Sequence, residues 1–213
     1  MKKEELKAYF FQNPSAKLRV RQLERATSIS LPAVIKYTNE LVKEKFLQLY
    51  EVSGVRFFTS AQTKEFYRAK QLYNLKQLYD SGLVDYLEEH NANVILFGSF
   101  SIGEDREESD IDLYVECSEE LRKTEDYSEV LRKELHIFRH SNLKSIKNKQ
   151  LTNNILNGIT LTGTVKVYKG KELGRLSQEL RAEVAKAQRR ARKNTTRHRK
   201  SKSHRRRKAP RKK

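Results

Sequence analysis

The chain has 213 residues, a length that suits one large domain or two small ones, and its 37% hydrophobic residues can supply modest cores. Its formal net charge is +18, and its single cysteine, Cys117, excludes an intrachain disulfide and fits a reducing compartment. No stretch has the apolar character of a signal peptide or of a membrane span, so we expect a cytoplasmic protein with no membrane partner.

Residues 1–62 carry the pattern of three short helices followed by a β-hairpin. This order of elements resembles a winged helix-turn-helix domain. In such a domain the third helix, predicted over residues 31–45, would enter a DNA major groove with Lys36, Tyr37 and Lys43 on its outward face. The same fold also serves as a protein-contact or dimerisation module, and the sequence leaves both uses open.

Residues 63–91 have apolar and aromatic side chains at helical spacing, with a break at Ser81-Gly82. This pattern predicts a long helix, then a short second helix starting near Leu83. A wide apolar stripe is typical of a helix that packs against both of its neighbouring domains, so we interpret the segment as a helical connector.

Residues 92–170 begin with "NVILFGS", an apolar run that predicts a buried strand ending at Gly98-Ser99. A glycine lets the backbone approach a ligand closely, and a neighbouring hydroxyl beside free amides suits phosphate, although Gly-Ser after a strand is often only a turn. In "SDIDLYVE", Asp110 and Asp112 alternate with aliphatic residues, so both carboxylates should project from one face of the next strand. Two carboxylates this close repel each other unless a cation lies between them, and oxygen ligands suit Mg²⁺ or Mn²⁺.

The spacing of these residues carries a family resemblance. Gly98-Ser99, ten intervening residues and then Asp110-Ile111-Asp112 resemble the pattern of the polymerase-β-like nucleotidyltransferase superfamily, close to its minimal prokaryotic members. The longer string from residue 96 to 115, with its helical N-terminal neighbour, is similar to archaeal proteins that join a winged helix to such a domain. The likeness runs from about residue 5 to residue 170 and leaves out the C-terminal tail.

The resemblance implies a reaction and roles for the residues that carry it. Gly98 and Ser99 would hold the triphosphate of an NTP, with ATP the expected nucleotide, and Asp110 and Asp112 would ligate the metal. An acceptor hydroxyl would attack the α-phosphorus in line, and pyrophosphate would leave. The acceptor would be a macromolecule, either a nucleic acid or a protein side chain.

The chain departs from the family pattern at the third carboxylate, which active members usually carry on a neighbouring strand. The corresponding run, "KELHIFRH", contains no aspartate. Alternation along this strand predicts that Glu134 and His136 lie on the face that carries the two aspartates. Three alternatives follow: His136 replaces the carboxylate, Glu134 reaches the site, or catalysis is weak or absent.

The C-terminal segment holds most of the excess positive charge. Residues 171–213 contain 19 of the 45 Lys and Arg residues but only 3 of the 27 acidic residues. Helical spacing predicts an amphipathic basic helix over 171–192, and the composition predicts a disordered basic tail over 193–213. The tail would attract nucleic acid electrostatically or serve only for solubility. The residues expected to contact nucleic acid are Arg189, Arg190, Arg205, Arg206 and Arg207.

Taken together, these patterns predict an α+β chain. Its parts are a winged helix-turn-helix (1–62), a helical connector (63–91), a small mixed-sheet nucleotidyltransferase domain (92–170), a basic helix and a basic tail. Three functional hypotheses follow: a metal-dependent nucleotidyltransferase, a DNA-binding regulator whose nucleotidyltransferase domain is weak or inactive, and a nucleic-acid-associated protein dominated by its tail.

Overall fold

The computed structural model describes residues 2–117, 121–122, 124–166, 178–184 and 186. The chain divides into two units after Val165. Of the second unit, residues 178–184 form a helix. Most of the basic helix predicted over 171–192 lies outside the described residues, so it stays a prediction. The five arginines expected to bind nucleic acid lie outside the described residues. None of the helices in the described ranges has the length and hydropathy to cross a bilayer.

The N-terminal part of the first unit consists of three helices and a hairpin, as the periodicity predicts. In chain order the elements are α1 (Lys2–Gln12), α2 (Val20–Thr27), α3 (Leu31–Lys43), β1 (Leu47–Val52) and β2 (Val55–Ser60). The two strands pair antiparallel, and Leu18 forms an isolated bridge to Phe58 of β2. Their shared core is made by buried side chains from every helix, among them Leu6, Phe10, Leu23, Val34 and Leu41.

α3 ends two residues before its predicted end at Lys45. Lys45 adopts a positive φ of 56°, and the Phe46 N–H donates to the Leu41 carbonyl at 2.9 Å. This left-handed residue with its backward hydrogen bond closes the helix, although the usual glycine is missing. Phe46 then enters the core, and β1 begins.

Two helices, α4 (Lys64–Asp80) and α5 (Leu83–Glu89), link this part to a sheet. The Thr63 hydroxyl caps α4 by accepting a hydrogen bond from the Phe66 N–H at 3.2 Å. Phe66 packs in the N-terminal core, whereas Leu78, three turns later, packs in the core of the sheet. α4 therefore contributes to both cores, as the apolar stripe of the connector predicts.

The sheet has four strands in the order β5-β4-β3-β6. Its elements are β3 (Asn93–Phe97), α6 (Gly98–Ile102), β4 (Ile111–Glu116), α7 (Thr124–Leu131), β5 (Leu135–Arg139), α8 (Lys149–Leu156) and β6 (Ile159–Thr162), with a 3-10 turn at Leu143–Ser145. β3 pairs antiparallel with β4 and β6, and β4 pairs parallel with β5. β6 ends at Thr162, and Gly163 follows with a positive φ of 65°.

The two faces of β4 have different surroundings. Ile111, Leu113 and Val115 are fully buried in the core that includes α5, as the alternation predicts. Asp112 and Tyr114 lie on the opposite face, but Tyr114 is also fully buried, and its hydroxyl donates to Glu116 Oε1 at 2.7 Å. Burial and this carboxylate raise the pKa of Tyr114 far above its usual value. The polar face is therefore open only near the start of the strand.

Gly158, which follows α8, is required for packing against β3. A Cβ at this position would lie 2.4 Å from the Leu96 carbonyl oxygen and 2.6 Å from Ile95 Cγ2. A larger residue would push the end of α8 away from β3.

Candidate active site

The pairing of β3 with β4 brings Gly98 against Asp112. Phe97 is the register partner of Asp112, and Gly98 follows with a positive φ of 73°. A Cβ built on Gly98 would lie only 2.2 Å from Asp112 Oδ2. Both the backbone conformation and the close approach require glycine here. Ser99 follows in the first turn of α6 and is half-buried.

Asp110 and Asp112 project from the same side at the start of β4. Asp110 lies immediately before the strand and its side chain is 37% exposed, whereas Asp112 lies inside the strand and is 27% exposed. Ile111, between them, is fully buried. The buried neighbour anchors the backbone, so the two carboxylates are held together at the open end of the polar face.

The parallel pairing of β4 with β5 adds His136 to this pair of carboxylates. His136 is the register partner of Asp112. Its Nδ1 lies 3.5 Å from Asp110 Oδ2 and 3.7 Å from Asp112 Oδ1. Glu134 lies just before β5, where its carbonyl oxygen accepts the Ile111 N–H at 2.8 Å and its side chain is exposed. Of the two residues weighed as substitutes for the missing carboxylate, His136 is the one beside both aspartates.

The electrostatics of the site oppose a charged Asp112. Burial raises the pKa of Asp112 above its usual value, His136 acts against this shift, and the neighbouring Asp110 adds to it. Two carboxylates in this position therefore favour a cation near them when both are ionised.

Comparison with protein families gives a match to this part of the chain. The sequence model of the family described as "Polymerase beta, Nucleotidyltransferase" matches residues 82–166. This match supports a polymerase-β-like nucleotidyltransferase domain. The matched range contains Gly98, Ser99, both aspartates and His136. It also includes α5, which lies within the predicted connector over 63–91. No curated protein and no solved structure matches the chain.

The donor atoms in the matched range fit the divalent metal that polymerase-β-like nucleotidyltransferases generally use. Among the described residues, no group of three or more His, Cys, Asp or Glu side chains is arranged to hold a metal by itself. Mg²⁺, however, is commonly bound by one or two carboxylates together with substrate phosphates and water. Asp110 and Asp112 would provide those two carboxylates, and the remaining ligands would come with the nucleotide.

A buried polar cluster supports the loop between α6 and β4, and it was not predicted from the sequence. Asp105 is only 2% exposed in its side chain and forms an ion pair with Lys70 of α4, Nζ to Oδ1, at 3.1 Å. Asn74 Nδ2 donates to the same oxygen at 2.7 Å and to the Phe100 carbonyl at 3.0 Å. Burial lowers the pKa of Lys70, and the Asp105 carboxylate opposes that shift. A lysine at this depth needs such a partner.

A cleft of about 330 Å³ lies beside this loop and away from the two site carboxylates. Its lining includes Ser15, Gln62, Tyr67, Glu104 and Arg106, but neither Asp110 nor Asp112. Glu104 and Asp105 also line this cleft, but the Asp105 carboxylate is already bound by Lys70 and Asn74. The cleft therefore offers a cation a less available pair of carboxylates than Asp110 and Asp112.

The predicted DNA-contact residues lie on α3. Lys36 and Lys43 are exposed, whereas Tyr37 is half-buried and packs against the N-terminal core, with the Lys36 ammonium 5.8 Å from its ring centre. Two acidic residues, Glu40 of α3 and Glu44 at its C-cap, form ion pairs with Lys3 of α1 at 3.0 Å and 2.5 Å. This pairing offsets part of the negative charge of the helix.

Proposed function

We propose that the domain over residues 82–166 transfers a nucleoside monophosphate from an NTP to a hydroxyl group of a macromolecular acceptor and releases pyrophosphate. The proposal rests on one observation above all. The β3–β4 register brings Gly98 into contact with Asp112, so the proposed triphosphate-binding turn and the proposed metal ligands adjoin each other.

Each residue has a role in this reaction. Gly98 and Ser99 would hold the triphosphate, and Asp110 and Asp112 would hold Mg²⁺ or Mn²⁺ between the strand and the phosphates. A bound metal would neutralise phosphate charge and stabilise the attacking and leaving oxygens. His136, beside both carboxylates, would accept the proton of the acceptor hydroxyl, and the exposed Glu134 is the alternative base. Most of the rate enhancement would then come from positioning and charge neutralisation.

The test uses NTPs labelled at two positions. Full-length protein is incubated with each of the four NTPs, with ATP the expected donor, in Mg²⁺ or Mn²⁺ and with total cellular RNA and protein. We expect label from the α-phosphate, but not from the γ-phosphate, to enter an acceptor. Digestion of the product with nuclease or protease then identifies the class of acceptor.

Two double variants make the assay specific. Asp110→Ala/Asp112→Ala should remove the labelling, because it removes both proposed metal ligands. Glu125→Ala/Asp126→Ala removes two exposed carboxylates from the first turn of α7 and should label normally. Transfer of the γ-label, or equal labelling by the Asp110/Asp112 variant, would contradict the proposal.

A second candidate function is DNA binding by the N-terminal part as a winged helix-turn-helix, with the nucleotidyltransferase domain weak or inactive. The specific observation in its favour is the exposure of Lys36 and Lys43 on α3 together with the pairing of Glu40 and Glu44 to Lys3. This pairing leaves the surface of α3 less negative than its sequence suggests. The basic tail would add salt-sensitive binding to DNA or RNA.

A further inference from the structure

The second half of the loop that joins α6 to β4 (residues 103–110) is bound by the ammonium group of Lys133. Lys133 Nζ donates to the carbonyl oxygens of Arg106 at 2.7 Å, Ser109 at 3.0 Å and Glu107 at 3.3 Å. It also lies 3.5 Å from Asp105 Oδ2, and the Lys133 side chain is only 14% exposed. An ammonium has three N–H donors, so these three carbonyls use all of them.

The three carbonyls lie just ahead of the metal-binding strand. Ser109 directly precedes Asp110, and the residue after Lys133, Glu134, accepts the Ile111 N–H through its carbonyl at 2.8 Å. Lys133 and Glu134 thus fasten the backbone on both sides of Asp110. The three carbonyls that bind the Lys133 ammonium belong to the loop and not to Asp110 or Asp112, so its influence on the site would pass through the loop.

The other end of the loop is also fixed. Asp105 is bound by Lys70 and Asn74 of α4, and Asn74 also binds the carbonyl of Phe100 in α6. The helix that starts at Gly98 and the strand that carries the aspartates are therefore joined by a loop attached at two points. Loosening either attachment would let Asp110 move relative to Gly98.

We propose that Lys133 is a positioning residue that sets the place of Asp110 relative to Asp112, Gly98 and His136. The consequence for nucleotide binding rests on the function proposed above, whereas the effect on the position of Asp110 does not. Charge-assisted hydrogen bonds to backbone carbonyls suit this role, because they are stronger and more directional than contacts between exposed charges.

The test compares Lys133→Met with Arg132→Met in the full-length protein. Both changes remove one positive charge from adjacent positions, but Arg132 is exposed in the turn before β5. Amide hydrogen exchange at Arg106 and Ser109 measures how firmly the loop is held, since Arg106 N–H donates to Ser109 Oγ and Ser109 N–H to the Arg106 carbonyl. The ring resonances of His136, assigned with His136→Gln, report the nearby Asp110. Neither measurement requires a nucleotide.

We expect Lys133→Met to speed exchange at these amides by about 10-fold, the loss expected for a charged hydrogen-bond partner, and to shift the His136 resonances. Arg132→Met should change neither. Unchanged exchange or unchanged His136 resonances in Lys133→Met would overturn the proposal. If Lys133→Met does not fold, Lys133→Gln, which keeps two N–H donors, is measured by the same criteria.

Affinity for Mn²⁺ and a non-hydrolysable NTP analogue separates this inference from the proposed function. When the wild-type protein binds the analogue, Lys133→Met should weaken binding by about 10-fold, and unchanged affinity would overturn the positioning role. If the wild-type protein binds no nucleotide, the proposed function is overturned. If the His136 resonances still respond to Lys133→Met in that case, the positioning role is supported.

Discussion

The sheet face that carries Asp110 and Asp112, here called the carboxylate face, differs from the exposed face of α3 in what its charges contribute to folding. At the carboxylate face, burial and Asp110 raise the pKa of Asp112, and Gly98 is required because Asp112 comes so close. On α3, Lys36 and Lys43 are exposed to water and impose no such constraint. An arrangement that opposes folding needs another reason to exist, and the cation binding proposed above would supply one.

The difference also explains why the two functional proposals have different strength. A solvated basic helix face is common on soluble proteins and is compatible with many partners. Two partly buried carboxylates beside a glycine turn are compatible with only a few kinds of partner. Substitutions in the two regions test this contrast, beginning with the largest expected free-energy change.

Lys70→Met should cause the largest loss of stability, about 3–5 kcal/mol, because it leaves the buried Asp105 without its main ion-pair partner. Urea unfolding measures the change. The matched control is Lys76→Met on the same helix, since Lys76 pairs with Asp80 at the surface and should cost less than about 1 kcal/mol. Equal effects of the two substitutions would remove the distinction between buried and solvated charges.

Gly98→Ala should destabilise the protein and weaken nucleotide binding by more than the left-handed backbone alone explains. Gly54→Ala provides the reference, because Gly54 has a φ of 76° with nothing within 4 Å of an added Cβ. Both variants should lose about 1–2 kcal/mol from backbone strain. Only Gly98→Ala should lose more, as its methyl group displaces Asp112. Thermal unfolding and nucleotide titration measure the difference, and identical behaviour would show that the close approach is unimportant.

Asp112→Asn should raise stability at neutral pH while it reduces metal and nucleotide binding. The folded-state pKa of Asp112 is raised, so stability is greatest when this carboxyl is protonated and falls as the pH rises from the usual aspartate range through the raised pKa. The asparagine side chain does not ionise, so the variant does not lose stability as the pH rises through this range. Each kcal/mol of stability gained should raise Tm by about 2–4 °C.

Melting curves of Asp112→Asn and wild type should therefore coincide at low pH and separate near neutrality. Asp126→Asn is the control, because Asp126 lies in the first turn of α7, where a negative charge is favourable and its loss slightly lowers stability. A lower Tm for Asp112→Asn at pH 7 would mean that the carboxylate stabilises the fold and that its functional interpretation is weaker.

Lys36→Gln/Lys43→Gln should have little effect on stability but should reduce the salt dependence of duplex DNA binding. The slope of log affinity against log salt should fall by about 0.9 for each DNA phosphate that the variant helix no longer neutralises. Lys64→Gln/Lys76→Gln, two exposed lysines of α4, should leave the slope unchanged. If the two double variants have the same slope, α3 does not bind DNA phosphates.

Much of the fold could be predicted from local sequence patterns. Helical spacing and the Ser81-Gly82 break predicted α4 and α5, and the alternation around Asp112 predicted the buried face of β4. The burial of Tyr114 could not be predicted. Alternation places Tyr114 on the same face of β4 as Asp112, but it does not show which other residues cover that face toward the end of the strand. The packing of Gly158 against β3 could not be predicted for a similar reason, since this contact is not a local feature.

The candidate site was predicted only in part. The spacing from Gly98-Ser99 to Asp110 and Asp112 indicated two groups that belong together, but the choice between His136 and Glu134 needed the β4–β5 register. Lys70 and Asp105 gave no signal at all. They are 35 residues apart, and nothing in a helical stripe or a polar loop shows that two charged side chains will be buried against each other.

The sequence by itself determined the N-terminal helices and hairpin, α4, α5, β3 and the side of β4 on which both aspartates lie, because these follow from periodicities within a few residues. Tertiary structure decided which groups meet there: Gly98 against Asp112, His136 beside both carboxylates, and Lys133 on the loop before Asp110. The physical reason is that strand register and the pairing of buried charges depend on contacts between distant segments, which become favourable only when the whole unit is packed.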